Sequence, residues 1–267
     1  MKFYEMFTIM GELPQPYGSF HLCWFIGVFA VGFALSFLLR KRSDKTLRIV
    51  IGVLWFIMFS LEIIKLIGNN SHMENGQVIG NFDPSTLSFQ FCSLPIYFLP
   101  VVAFARKGKT RDIFAFFLGT YGFIAGLVTY IFPSTIFSDA VFFNYHTFIH
   151  HGIQIITGLI LLIRYFDKMS VKDLFRTFVL FFITVIGARL LNELMHGYYP
   201  NNLNVDYFYL SPYTEREFPV VGNIKQIAPY SAFVLGYIVS FTFLSGACYG
   251  VTKGIQCIFN TFKSRKG

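Results

Sequence analysis

Along the chain, apolar stretches alternate with short polar connections, and seven such stretches take up most of it. A helix needs about 20 apolar residues to cross the ~30 Å hydrocarbon core of a bilayer, so each stretch predicts one membrane-spanning helix. The expected spans are Phe20 to Leu39, Leu47 to Ile67, Thr86 to Phe104, Ile113 to Ile131, Phe142 to Ile163, Leu174 to Leu194 and Ala228 to Gly250. The fold class is therefore all-α, a polytopic seven-helix membrane bundle. No repeat, low-complexity tract or hinge divides it, and residues 1–267 read as a single integral membrane domain. The first stretch has almost no basic residues before it and is followed by Arg40-Lys41-Arg42, the pattern of a retained anchor and not of a cleaved signal. One connection is long, Gly197 to Gln226, and it is rich in tyrosine. Its length and aromatics fit an ordered lid over the outer mouth of the bundle or an aromatic interfacial anchor equally well.

Composition agrees with this pattern. Hydrophobic residues make up 54% of the chain and charged residues 13%, about half of the roughly 25% usual in soluble domains. The net charge of +8 would suggest a polyanion partner in a soluble protein. Here the basic residues lie in clusters between apolar stretches, which argues against nucleic acid and for membrane topology. The clusters 40–48, 106–111, 164–176 and 253–266 hold 17 of the 22 Lys and Arg residues and all fall on one side of the expected bundle. The positive-inside rule then puts the N-terminus outside and the C-terminus in the cytoplasm, as in a multi-pass protein of the plasma membrane. Cys23, Cys92, Cys248 and Cys257 have neither zinc spacing nor the pattern of a disulfide framework. Gly119, Gly122 and Gly126 share a face of the fourth span, where small residues let helices approach closely. Pro95 and Pro100 interrupt the third span, and Pro95 deprives the Phe91 carbonyl of its helical donor.

The polar residues inside the spans group by depth. Counting about 1.5 Å per residue from the outer boundary places Glu62, Cys92, His146, His150 and Arg189 between about 6 and 12 Å deep. All six histidines lie outside or in the outer half of a span. Residues at i, i+3, i+4 and i+7 share a helical face. Three such stripes stand out: Glu62, Lys65 and Asn69; His146, His150, Gln154 and Thr157; and Arg189, Asn192, Glu193 and His196. The economical packing turns all three toward one cavity, with Cys92 at matching depth. Ionisable groups in a bilayer often mark function. Glu62 with Lys65 or Arg189 also fits a purely structural ion pair, Arg189 a holder of carboxylate or lipid phosphate, and a lone transmembrane cysteine an inert apolar filler.

Gln90-Phe91-Cys92-Ser93-Leu94-Pro95, Tyr121-Gly122-Phe123-Ile124-Ala125-Gly126, Asn144-Tyr145-His146 to His150-His151, and Asn204-Val205-Asp206-Tyr207-Phe208-Tyr209-Leu210 resemble motifs of the YwaF-like bacterial membrane proteins, which belong with the eukaryotic transmembrane protein 164 family. The resemblance implies a cysteine-dependent acyltransferase that moves a fatty acyl chain between phospholipids. It places Cys92 at the family's cysteine and His150, with His151 or His146 as alternatives, in its histidine stretch.

The expected chemistry is acyl transfer from a membrane phospholipid to a lysophospholipid through a thioester on Cys92, with no cofactor. A neutral histidine suits the base, since an imidazole titrates near neutrality. Gln90, Arg189 or a main-chain N–H near Pro95 would hold the oxyanion, Asn192 would assist in binding, and Glu193 or Glu62 would orient the base. Two other classes fit the same residues. One is a metal-dependent hydrolase in which His146 and His150 share a zinc ion with Glu193 or His196. The other is a lipid or solute carrier that uses Glu62, Lys65 and Arg189 as counter-ions.

Overall fold

The computed structural model describes residues 6–75, 77–133, 136–165, 167–214 and 228–264. Its principal helices are α1 (Ser19–Leu39), α2 (Asp44–Asn69), α3 (Leu94–Phe104), α4 (Lys109–Ile131), α5 (Val141–Tyr165), α6 (Val171–Tyr198) and α7 (Tyr230–Ser264). All but α3 are long and apolar enough to cross a membrane, so the chain is a multi-pass membrane protein.

The third expected span departs from a continuous helix. Residues 87–90 are not helical, Phe91–Ser93 form one 3-10 turn, and α3 has 11 residues. That length rises only about 16 Å, half of the hydrocarbon core. Proline is the reason. Pro95 lacks an amide hydrogen and fits the first turn of a helix, so α3 begins beside it instead of being kinked by it. The Phe91 carbonyl is not orphaned, because the Leu94 N–H donates to it. The whole segment still runs beside α2. Asn70 Nδ2 donates to Thr86 Oγ1 at 2.8 Å, Trp55 Nε1 to the Ile96 carbonyl at 2.9 Å, and Arg48 Nε to the Ala103 carbonyl at 2.7 Å.

α5 is the central helix. In its most apolar window 83% of the residues are buried, against 17–28% for α1, α2, α6 and α7, so its polar face looks into protein and not lipid. Close approach to α4 depends on glycine: a Cβ at Gly158 would lie 2.7 Å from Phe123 Cβ. The expected small-residue face of α4 is only partly used. Gly119 and Gly126 meet α5, but a π turn over Leu118–Gly122 adds a residue to the helical turn, and Gly122 faces Leu118 of its own helix. Gly158→Val should cost about 1–3 kcal/mol through overpacking, read as a lowered melting temperature in detergent. An unchanged melting point would contradict this contact.

The basic connections gather at one end of the bundle. Arg164 donates to the Arg40 carbonyl at 2.5 Å, Arg111 forks onto Asp44 at 2.9 and 2.8 Å, and Lys109 lies 3.1 Å from Asp173. At the other end, a hairpin pairs β1 (Ser71–Glu74) with β2 (Gln77–Gly80). The Asn75-Gly76 pair between the two strands is a hairpin signal, and Asn75 has φ 49°.

Candidate active site

Six residues converge where α2, α5 and the stretch before α3 meet: Glu62, Lys65, Ser88, Cys92, His146 and His150. Glu62 is buried near the end of α2. Its Oε1 accepts the Ser88 hydroxyl and pairs with Lys65 Nζ, one turn along α2, while Lys65 Nζ also donates to Ser88 Oγ at 3.1 Å. The other oxygen, Oε2, faces α5, 3.2 Å from His146 Nε2 and 3.4 Å from His150 Nδ1. The two histidines face one carboxylate because four residues make about one helical turn. The far nitrogen of His150, Nε2, lies 3.3 Å from the main-chain carbonyl of Cys92. His150 thus stands between Glu62 and Cys92. Both histidine side chains are almost wholly buried, 6% and 4% exposed, and Cys92 is half-buried.

A neutral imidazole carries one N–H, yet His150 faces an oxygen at each ring nitrogen. With the proton on Nδ1, that nitrogen lies 3.4 Å from the Glu62 carboxylate without an aligned hydrogen bond, and the Nε2 lone pair faces the Cys92 carbonyl. With the proton on Nε2, the Cys92 carbonyl accepts it and a lone pair faces the carboxylate. Either tautomer leaves one lone pair facing an oxygen, and the charged Glu62 carboxylate favours the first because it attracts an N–H more strongly than the neutral Cys92 carbonyl does.

The remaining histidines are engaged elsewhere. His151 Nδ1 lies 2.8 Å from the Thr147 carbonyl of its own helix. His21 is structural: Nδ1 accepts the Tyr17 N–H and Nε2 donates to the Tyr130 carbonyl at 2.9 Å. His72 lies in the hairpin and His196 stacks on Tyr213, 3.6 Å between ring centroids.

The stripe on α6 does not join the cluster on α2 and α5; its bonds run to residues 202–214 and to α7. Asn192 Oδ1 accepts the Tyr207 N–H at 2.8 Å and its Nδ2 donates to the Tyr207 carbonyl at 3.0 Å. Arg189 pairs with Glu193 and covers the Tyr230 ring at 5.2 Å, and Glu193 accepts the Tyr213 hydroxyl at 2.6 Å. Gln90 Nε2 donates to the Asp206 carbonyl at 2.7 Å. Gln90 and Asn192 therefore clamp consecutive residues of this segment, and Phe208 stacks on Phe89 at 5.6 Å, beside the stretch that leads to Cys92. That part of the long connection packs against Phe89, Gln90 and Asn192, while residues 215–226 of the expected lid lie outside the described residues. Asn192→Ala should leave the Tyr207 N–H unpaired, while its carbonyl keeps the Leu210 N–H, and cost about 1–3 kcal/mol, seen as a lower melting temperature. No loss of stability would show the clamp to be idle.

For the metal arrangement, the expected third ligand is corrected. Glu193 and His196 sit with Tyr213, whereas Glu62 completes the group with His146 and His150. Asn69 is exposed and takes no part; its neighbour Asn70 makes the bonds to the loop. Ser88 is the residue that sequence reasoning missed. Its signal is the alternation Ser88-Phe89-Gln90-Phe91-Cys92, a period of two that marks extended chain inside an apolar window.

The TMEM164 family model matches residues 16–249, which takes in Glu62, Ser88, Cys92, His146 and His150. The chain belongs to the TMEM164 family. No curated protein and no solved structure matches it. In this TMEM164-family chain the site is a carboxylate, two imidazoles and an ammonium gathered within a membrane bundle, with the main chain of Cys92 against one imidazole. Such a set can move a proton, stabilise an anion or hold a cation.

Proposed function

We propose that this protein is a cysteine-dependent acyltransferase of the plasma membrane that moves a fatty acyl chain from a phospholipid to a lysophospholipid. The observation that carries the reading is His150 held between Glu62 Oε2 and Cys92. A carboxylate that fixes Nδ1–H and turns Nε2 toward the nucleophile's residue follows the logic of an acyl-transfer triad. His150 Nε2 takes the thiol proton, and the Cys92 thiolate attacks the ester carbonyl. The C–S bond forms, the C–O bond to glycerol breaks, and His150 returns the proton to the departing alcohol. In the second half His150 takes the proton of a lysophospholipid hydroxyl, whose oxygen attacks the thioester, and the proton ends on the released thiolate. Glu62 stays ionised throughout and is held by Ser88 and Lys65. The test is incubation of the purified protein in vesicles with an acyl-labelled phospholipid and a lysophospholipid. Label should appear in the acceptor; a protein active in neither transfer nor release of the label would end this reading.

The same reading includes seven crossings, counting the segment from Thr86 to Phe104 as one that is helical over only part of its length. An odd number puts the N-terminus outside and the basic end in the cytoplasm. Reporter fusions after Lys45, Lys109, Lys168 and the C-terminus should all report cytoplasm. External signals at Lys109, Lys168 and the C-terminus together, with Lys45 cytoplasmic, would show that the segment folds back without crossing.

A further inference from the structure

We propose that Glu62 Oε2, His146 Nε2 and His150 Nδ1 form a binding site for a zinc-type divalent cation, and that this cation switches the acyl-transfer site off. The three atoms lie within 4.8 Å of one another and all three residues are buried. Around a tetrahedral zinc with ligands at about 2.0–2.1 Å, ligand atoms are separated by about 3.3 Å. The two carboxylate–imidazole separations are 3.2 and 3.4 Å. The distances are within reach, yet neither ring N–H is aligned on the oxygen, and all three atoms are buried without a hydrogen-bond partner. Unsatisfied buried polar atoms are costly, and a cation among them satisfies the set at once.

The surroundings suit a metal site as well. Ligating carboxylates are usually hydrogen-bonded in turn, and a ligating histidine usually donates its other N–H to a carbonyl or carboxylate. Ser88 and Lys65 hold the Oε1 side of Glu62, and His150 Nε2 faces the Cys92 carbonyl. Three protein ligands leave a fourth position for hydroxide or another anion, which also offsets the charge added beside Lys65. The cation requires the Nδ1 lone pair of His150 and so fixes its proton on Nε2, the tautomer that cannot accept the Cys92 proton. It also takes the carboxylate oxygen that would orient the base. The inhibitory consequence rests on the proposed acyl transfer; the binding itself does not.

The experiment titrates the chelator-stripped full chain in detergent with Co2+ and follows its visible d–d absorption. One equivalent should give the intense spectrum of a four-coordinate site, displaced by Zn2+. His146→Gln and Glu62→Gln should each weaken binding by more than about tenfold, and Cys92→Ser should leave it unchanged. Zn2+ should inhibit acyl transfer with the same midpoint as binding. No stoichiometric binding, or equal affinity in His146→Gln with an unchanged melting temperature, would overturn the site. A spectrum lost only in Cys92→Ser would place the cation on the thiol and overturn it too. Acyl transfer in a protein that binds no Co2+ would refute the cation site alone, and Co2+ binding in a protein without transferase activity would refute the acyl-transfer reading alone.

Discussion

Cys92→Ser should abolish acyl transfer, lowering it by at least about 1,000-fold, because loss of a nucleophile removes the covalent route and the residues acting with it lose their purpose together. The substitution is nearly isosteric at a half-buried position packed against the hydrophobic cluster that holds Phe91, so the melting temperature should stay close to that of the parent. The other cysteines act as internal controls. Cys23 and Cys257 are exposed on α1 and α7, and Cys248 lies near Thr252, whose hydroxyl bonds to its carbonyl. Cys23→Ser should leave both transfer and stability unchanged. Full activity in Cys92→Ser would remove the thioester from the mechanism, whatever the histidines do.

Glu62→Gln should be nearly as severe, and for a different reason. A glutamine amide presents an N–H as readily as a carbonyl oxygen, and an N–H aimed at His150 Nδ1 would push the imidazole proton to Nε2. That tautomer donates to the Cys92 carbonyl and cannot take the thiol proton. The equivalent change in an acyl-transfer triad with intact geometry costs about 10,000-fold, so a drop of about 100- to 10,000-fold is expected here. The loss should fall on kcat and not on KM, since Glu62 acts on the reaction through the charge it presents to His150. Glu62→Gln also weakens the pairing with Lys65 and Ser88, so a melting curve must accompany the kinetics. A stable Glu62→Gln variant with normal kcat would leave the carboxylate a structural ion pair and nothing more.

Much of this site is legible in the sequence, and what is hidden has identifiable causes. His146 and His150 stand at i, i+4 on one apolar helix and so share a face, and Glu62 lies at a matching depth on another, which the count of residues from the span boundary gives. Six helices follow from apolar length, ending within a few residues of the expected bounds except at α7, which runs on to Ser264. The third span misleads because a hydropathy window averages over backbone conformation. Thr86 to Phe104 is uncharged throughout and mostly apolar, yet Pro95 starts its helix and the alternation before Cys92 leaves Ser88 free to reach Glu62. The stripe on α6 misleads in another way. Periodicity gives the face of a helix but not what the face meets, and Asn192 meets the main chain of Tyr207, a partner 15 residues away in a loop that carries no periodic signal. The π turn in α4 is equally silent in a window average, and it moves Gly122 off the face that Gly119 and Gly126 share.

The central claim is that Cys92 carries the acyl chain, and the mass of the protein tests it most directly. Purified protein quenched in acid after mixing with a phospholipid donor, without acceptor, should gain the mass of one acyl chain. Peptide mapping should place that chain on Cys92, hydroxylamine should remove it, and addition of lysophospholipid before the quench should discharge it. Steady transfer by a protein that never gains this mass, or that carries the acyl group on another residue, would contradict the account.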